Sequence, residues 1–176
     1  PHEQVDTIQN PEQIISSIEV GLNLLNSMHI EYKDVNNWNH YLADYLAQYG
    51  AIQQGTQPSF AELLQNKLNQ NPGWVLQPYP VAIPHLKDDL IQHPLIVITI
   101  SNQAITMQNA HNDLFKIKYL IGLFIPNNNE MAQLVGELSA ELGHHLGHID
   151  DFMKQPEQLK HNLRNSFLKR IKKQLI

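Results

Sequence analysis

Two nearly continuous apolar runs, Leu95 to Ile100 and Lys118 to Ile125, constrain the fold of this chain more than any other feature. A strand with one face in water alternates apolar and polar residues, whereas a run without that alternation is covered on both faces. The runs therefore call for a small sheet with helices on either side, and the flanking sequence has helical patterns. Behind Asn10-Pro11-Glu12, an N-cap followed by a first-turn proline and an acid, Ile14, Ile15, Ile18, Leu22 and Leu25 recur at helical spacing to about Met28. Asp34 is expected to open a second helix carrying Trp38, Leu42, Tyr45 and Leu46, with Gly50 past its end. Pro58-Ser59 starts a third, with Phe60, Leu63, Leu64 and Leu68 on one stripe.

The segment Asn69 to Pro80 is broken by Pro72, Gly73, Pro78 and Pro80 and reads as loop, with a brief extended piece at Trp74-Val75-Leu76. Between the two apolar runs, Ala104 to Met107 is expected as a hairpin partner. Asn128 or Asn129 caps a further helix with Met131, Leu134, Val135, Leu138 and Leu142 inward, and short helices begin at Ile149 and at Pro156-Glu157. The predicted fold class is α/β (α+β), a small mixed β-sheet flanked by helices. Residues 1–33 read as an N-terminal helix or linker from a longer chain, and 34–176 as the core domain.

Composition narrows the function. The 176 residues contain no run near the ~20 apolar residues a membrane helix needs, so no membrane insertion is expected. The absence of cysteine excludes disulfides and thiol catalysis and fits a reducing, cytoplasmic setting. A net charge of −5 argues against a nucleic-acid-binding surface spread over the domain. Lys160, Arg164, Lys169, Arg170, Lys172 and Lys173 gather near the end, on a helical pattern with Leu159, Leu163, Phe167 and Ile171. They read as a solvated helix face with cations placed well for the dipole, without direct nucleic-acid contact.

The chemistry concentrates in Val81-Ala82-Ile83-Pro84-His85-Leu86, followed by Lys87-Asp88-Asp89. Proline locks φ and donates no ladder hydrogen bond, so a strand must end or lie at an edge there. His85 is thereby expected at a rigid strand end with its ring free, where imidazole serves as a nucleophile or acid/base. The order of elements around this motif, with Tyr119 to Ile125 as a later strand and Asn127-Asn128-Asn129-Glu130-Met131 leading into a Leu-rich helix, resembles the enzyme IIA domain of the fructose/mannitol class (type 2) in the bacterial sugar phosphotransferase system. The likeness covers roughly residues 34–175 and centres on Ala-Ile-Pro-His at Ala82 to His85.

That resemblance implies that His85 accepts a phosphoryl group from the phosphocarrier protein HPr and passes it to the cysteine of an enzyme IIB, without metal or cofactor. Such transfer needs in-line positioning and donors for three oxygens more than covalent help. Exposed backbone N–H groups after His85, or at the helix start near Asn129, are candidates for those donors. The chain departs from the family pattern at Pro80 and Leu86, where a glycine and a small residue are usual. Met131 stands where mannitol-type members carry a second histidine, and Asn66-Lys67 where they carry an Arg-Glu pair. Lys67 and His111 are the supporting site candidates: Lys67 as a point charge for phosphate, His111 as a substitute second histidine. The thinned charge set favours a domain of a transcriptional regulator or antiterminator over a sugar-transport component. The alternative is a non-catalytic interaction module that keeps the fold without phosphorylation. A homo-oligomer is compatible with the amphipathic N-terminal helix.

A rival cluster is Gly143-His144-His145-Leu146-Gly147-His148-Ile149-Asp150-Asp151. His144 and His148 lie four apart, as two zinc ligands on one helix would, but the flanking glycines suggest a fraying helix end, and no metal site is expected. Ser59, Ser101 and Ser139 lack the Gly-x-Ser-x-Gly context of a hydrolase nucleophile.

Overall fold

The two apolar runs form the centre of the sheet. In the computed structural model, which describes residues 11–174, they belong to long strands β4 (Leu95–Gln108) and β5 (Leu114–Ile125) that pair antiparallel as one hairpin. The Asn10 N-cap lies outside the described residues. The chain divides into two compact units, one of residues 27–128 and one built from the segments on either side.

In the 27–128 unit, β1 (Met28–Tyr32) runs parallel to β4 on one side. On the other side β2 (Val81–Ala82) and β3 (His85–Lys87) run parallel to β5 in succession. The result is a five-stranded mixed sheet, ordered β1-β4-β5-β2 with β3 also on β5. Helices α2 (Trp38–Gln48) and α3 (Gln57–Gln70) pack on each other, and their apolar stripes, Trp38, Leu42 and Leu46 with Phe60, Leu64 and Leu68, share a core with Leu95, Val97, Leu120 and Phe124 of the sheet.

Three expectations change here. Strand β1 lies inside the stretch read as helix or linker, because a five-residue strand leaves too little period to separate it from the helix before it. Asp34 does not open α2. Its carboxylate accepts from Ser101 Oγ (3.2 Å) and the Gln103 amide (3.3 Å), securing the irregularity between Ile100 and Ile105 where β4 slips register against β5. Residues 104–107 are hairpin partners, of β5, but as a continuation of β4 rather than as a separate strand, so Ile105 and Met107 pair with Ile117 and Phe115.

The second unit comprises α1 (Pro11–Asn26), α4 (Asn129–His144), a 3₁₀ turn (Leu146–His148), α5 (Ile149–Met153) and α6 (Pro156–Gln174). Two of the long helices bury the stripe their sequence announces: Leu134, Val135, Leu138 and Leu142 on α4, and Leu159, Leu163, Phe167 and Ile171 on α6, whereas of the stripe on α1 Leu25 is buried and Ile15 is exposed. Gly21 of α1 lies against the tip of the Phe167 ring, and a Cβ there would overlap the ring's Cζ and Cε1.

Candidate functional site

The site begins with the break at Pro84. Register is kept across it, from Ala82 opposite Leu120 to His85 opposite Leu123, so the proline interrupts the ladder without shifting it. Leu123 N–H donates to the Pro84 carbonyl (2.9 Å) and Asp88 N–H to the Ile125 carbonyl (3.3 Å), which ties the segment to β5 at both ends. Within β3 the alternation is strict: Leu86 is buried in the core, while His85 and Lys87 are exposed. Because alternate residues of a parallel ladder bond to the neighbouring strand, the amides of His85 and Lys87 face away from β5.

The other side of this segment is held by the turn that follows α3. Val75 bridges to Ala82, with Ile83 N–H donating to the Trp74 carbonyl (2.8 Å) and Leu76 N–H to the Val81 carbonyl (3.0 Å). In a regular antiparallel pair Trp74 N–H would answer to the Ile83 carbonyl. Instead Trp74 opens toward a 3₁₀ turn (Pro72–Trp74) and its N–H donates to the Asn71 carbonyl (3.1 Å). The Ile83 carbonyl is taken up by His85 Nδ1, at 2.8 Å. A carbonyl only accepts, so Nδ1 carries the proton, and in the neutral ring Nε2 keeps its lone pair. The buried Trp74 ring lies 5.9 Å from the imidazole at 48°.

The supporting candidates are placed differently. Lys67 is half-buried in the last turn of α3, and its carbonyl accepts from both the amide N–H (2.8 Å) and Nδ2 (3.0 Å) of Asn71. It therefore stands one hydrogen-bonded turn upstream of Trp74. His111 lies at the tip of the β4–β5 hairpin, in a turn where Asn109 Oδ1 accepts the amides of His111 (2.9 Å) and Asp113 (3.0 Å), and Asn112 takes a positive φ of 64°. The hairpin closes at Leu114, whereas His85 is opposite Leu123. Nine strand residues at about 3.3 Å each separate them by roughly 30 Å. The structure does not bring His111 to His85, and the substitute-histidine expectation is corrected on that ground. Met131 belongs to the first turn of α4, in the other unit.

Sequence reasoning missed Trp74, which read only as part of a short extended piece. Its signal was present in Pro72-Gly73 before it, a turn that takes its amide out of the ladder. Leu86, a departure from the family pattern, is explained by its inward position beside Phe124 and Leu95. Pro80 likewise has a structural task, since its carbonyl accepts the amides of Lys118 (2.8 Å) and Tyr119 (3.0 Å). On the far side of His85, Asn127 Nδ2 donates to Asp89 (3.1 Å), linking the turn after β5 to the loop after β3.

The profile of the family described as phosphoenolpyruvate-dependent sugar phosphotransferase system, EIIA 2, matches residues 23–147, the span that contains the whole sheet and His85. The chain belongs to this family. Among solved structures, the EIIA 2 chain is similar to a candidate PTS IIA domain from Streptococcus pyogenes M1 GAS, at 13% identity and a TM-score of 0.57, over 90% of this chain and 97% of that one. It is also similar to the nitrogen regulatory protein IIA-Ntr from Neisseria meningitidis, at 14% identity and a TM-score of 0.55, over 85% and 99%. At such identities these likenesses establish the fold, a IIA-like mixed α/β arrangement. No curated protein matches the chain. The family match begins at residue 23, ahead of the expected boundary at 34, and so takes in β1.

The histidine cluster of the other unit is arranged as a pair. Helix α4 ends at His144, so His144 and His148 do not share one continuous helix face. His145 Nδ1 lies 3.0 Å from His148 Nε2, and the His145 ring stacks on Phe152 at 4.0 Å. Burial, and then the neighbouring His148, hold the His145 pKa below the usual imidazole range. Among the described residues no group of three or more His, Cys, Asp or Glu side chains is placed to hold a metal, and no helix is long and apolar enough to cross a membrane.

Proposed function

We propose that this EIIA 2 domain is a phosphoacceptor, with His85 Nε2 taking a phosphoryl group from the phosphohistidine of HPr. The observation that carries the reading is the exposed imidazole fixed at a strand end with Nδ1–H spent on the Ile83 carbonyl and Nε2 unencumbered. In the transfer the P–N bond of the donor breaks and a P–Nε2 bond forms, with the Nδ1 proton staying in place. The ring gains positive charge as it bonds phosphorus, and the Ile83 carbonyl dipole facing Nδ1–H stabilises it. The outward amide of His85 and the Lys67 side chain are candidates to receive the phosphoryl oxygens. No metal or nucleotide enters this chemistry.

Met131 in place of a second histidine, and Asn66-Lys67 in place of an Arg-Glu pair, support a regulatory domain. In it phosphorylation is a signal to a transcriptional regulator or antiterminator, rather than a relay to enzyme IIB for sugar transport. The inward turn of Leu86 and the tie of Pro80 to β5 count against the alternative of a degenerate interaction module, because neither departure crowds the imidazole. The test is intact mass after incubation with phosphoenolpyruvate, enzyme I and HPr. One acid-labile phosphate is expected on the parent protein and none on His85→Ala. Equal phosphorylation of the two, or none of either while HPr is charged, would sink the reading.

A further inference from the structure

We infer that the turn Asn71 to Trp74 is a positioning device for His85, and that Trp74 is its positioning residue. The inference deepens the phosphoacceptor reading and rests on it for its kinetic arm alone. Three observations carry it. Asn71 caps the end of α3 through two bonds to the Lys67 carbonyl, at 2.8 and 3.0 Å, which fixes where its own carbonyl points. That carbonyl accepts Trp74 N–H at 3.1 Å, and so removes the donor with which a continuous ladder would satisfy Ile83. The freed Ile83 carbonyl then meets His85 Nδ1 at 2.8 Å, and the Trp74 ring, 4% exposed, lies against one side of the imidazole at 5.9 Å.

Either contact alone would leave the imidazole a choice. A histidine with only a ring neighbour can flip by 180° and exchange its nitrogens. One with only a carbonyl partner can swing about χ1 into water, since His85 is exposed. Together they define one tautomer and one rotamer. The turn thus does for a surface histidine what a buried carboxylate does in sites where one ring nitrogen is held so that the other reacts. Trp74 touches no reacting atom. Its effect is to keep Nε2 on the line of attack, where a displacement of about 1 Å can cost up to a hundredfold in rate.

The test uses the full 176-residue chain. Nitrogen-15 chemical shifts of the imidazole, assigned by comparison with His85→Ala, report the tautomer without any phosphoryl donor. The parent protein is expected to show Nδ1–H with an unprotonated Nε2, and Trp74→Phe to keep that signature. Trp74→Leu, with a folded circular-dichroism spectrum, is expected to show a mixture of tautomers. Phosphorylation by charged HPr should then slow on the order of tenfold in Trp74→Leu and stay within about twofold in Trp74→Phe. The control Trp38→Phe, altering the other tryptophan, should leave both readouts unchanged. An Nε2–H tautomer in the parent would overturn the inference, as would a folded Trp74→Leu with parental tautomer and rate. Should Trp74→Leu fail to fold, Trp74→Met takes its place, with the same mixture of tautomers expected and the parental tautomer and rate overturning the inference. A parent with the expected tautomer but no phosphate gain would leave the device standing and remove the phosphoacceptor reading.

Discussion

Leu86 shows how one residue is read differently from sequence and from packing. Beside the proposed phosphoacceptor histidine a small side chain is the family habit, and a leucine there looks like damage. In the strand it is the inward residue of a three-residue β3, nearly enclosed among Phe124 and Leu95, and the histidine's side of the strand is untouched. Leu86→Ala restores the family habit and should still be a loss. Removing a buried leucine side chain costs about 2–5 kcal/mol, so the urea midpoint falls. The initial rate of phosphorylation by HPr at low temperature, where the variant remains folded, should be no higher than that of the parent. A faster variant would mean that Leu86 obstructs the site.

At the scale of elements, close approach decides more than propensity. Gly21 sits inside α1, where alanine is the better helix former by about 1 kcal/mol. A Cβ overlapping the buried Phe167 ring cannot be absorbed by rotation of an exposed side chain, and overpacking of that kind costs about 1–3 kcal/mol. The second term is the larger, so Gly21→Ala should lower the melting temperature by several degrees, and Gly21→Ala with Phe167→Leu should recover part of the loss. The helices were legible because each has a period: Leu134, Leu138 and Leu142, or Leu159, Leu163 and Phe167, recur by fours, and the two central strands were legible because their apolar runs lack one. His85 was legible because proline before it forbids a regular strand. What escaped depends on partners distant in sequence. The five residues of β1 have no pattern apart from β4, and the roles of Asp34 and Trp74 exist only because Ser101 and Ile83 lie opposite them. The 3₁₀ turn that aims His85 is built from Pro72 and Gly73, residues whose composition announces a turn but not what the turn faces.

At the scale of the whole molecule, the helical unit carries an acid-sensitive group. His145 is held below its ordinary pKa by burial first and by His148 second, with Glu141 opposing and His144 adding to the effect. An unfolded chain then binds the proton at higher pH than the folded one does, so this group's contribution to stability is present above the ordinary imidazole range and is lost as the pH falls through it. Thermal melts from pH 7.5 to about pH 5 should show a declining melting temperature, and a shallower decline in His145→Gln. An unchanged slope would assign the acid sensitivity to the other histidines. The order of the chain adds a consequence for biosynthesis. The sheet unit is one continuous stretch, residues 27–128, whereas the helical unit joins α1 to segments that begin at residue 129. At the usual 5–20 residues per second of translation, a nascent α1 waits on the order of ten seconds for the helices that cover Gly21 and its neighbours. During that wait the strands bearing His85 have all left the ribosome's active centre, and α1 is a natural client for whatever shields apolar helices near the exit tunnel.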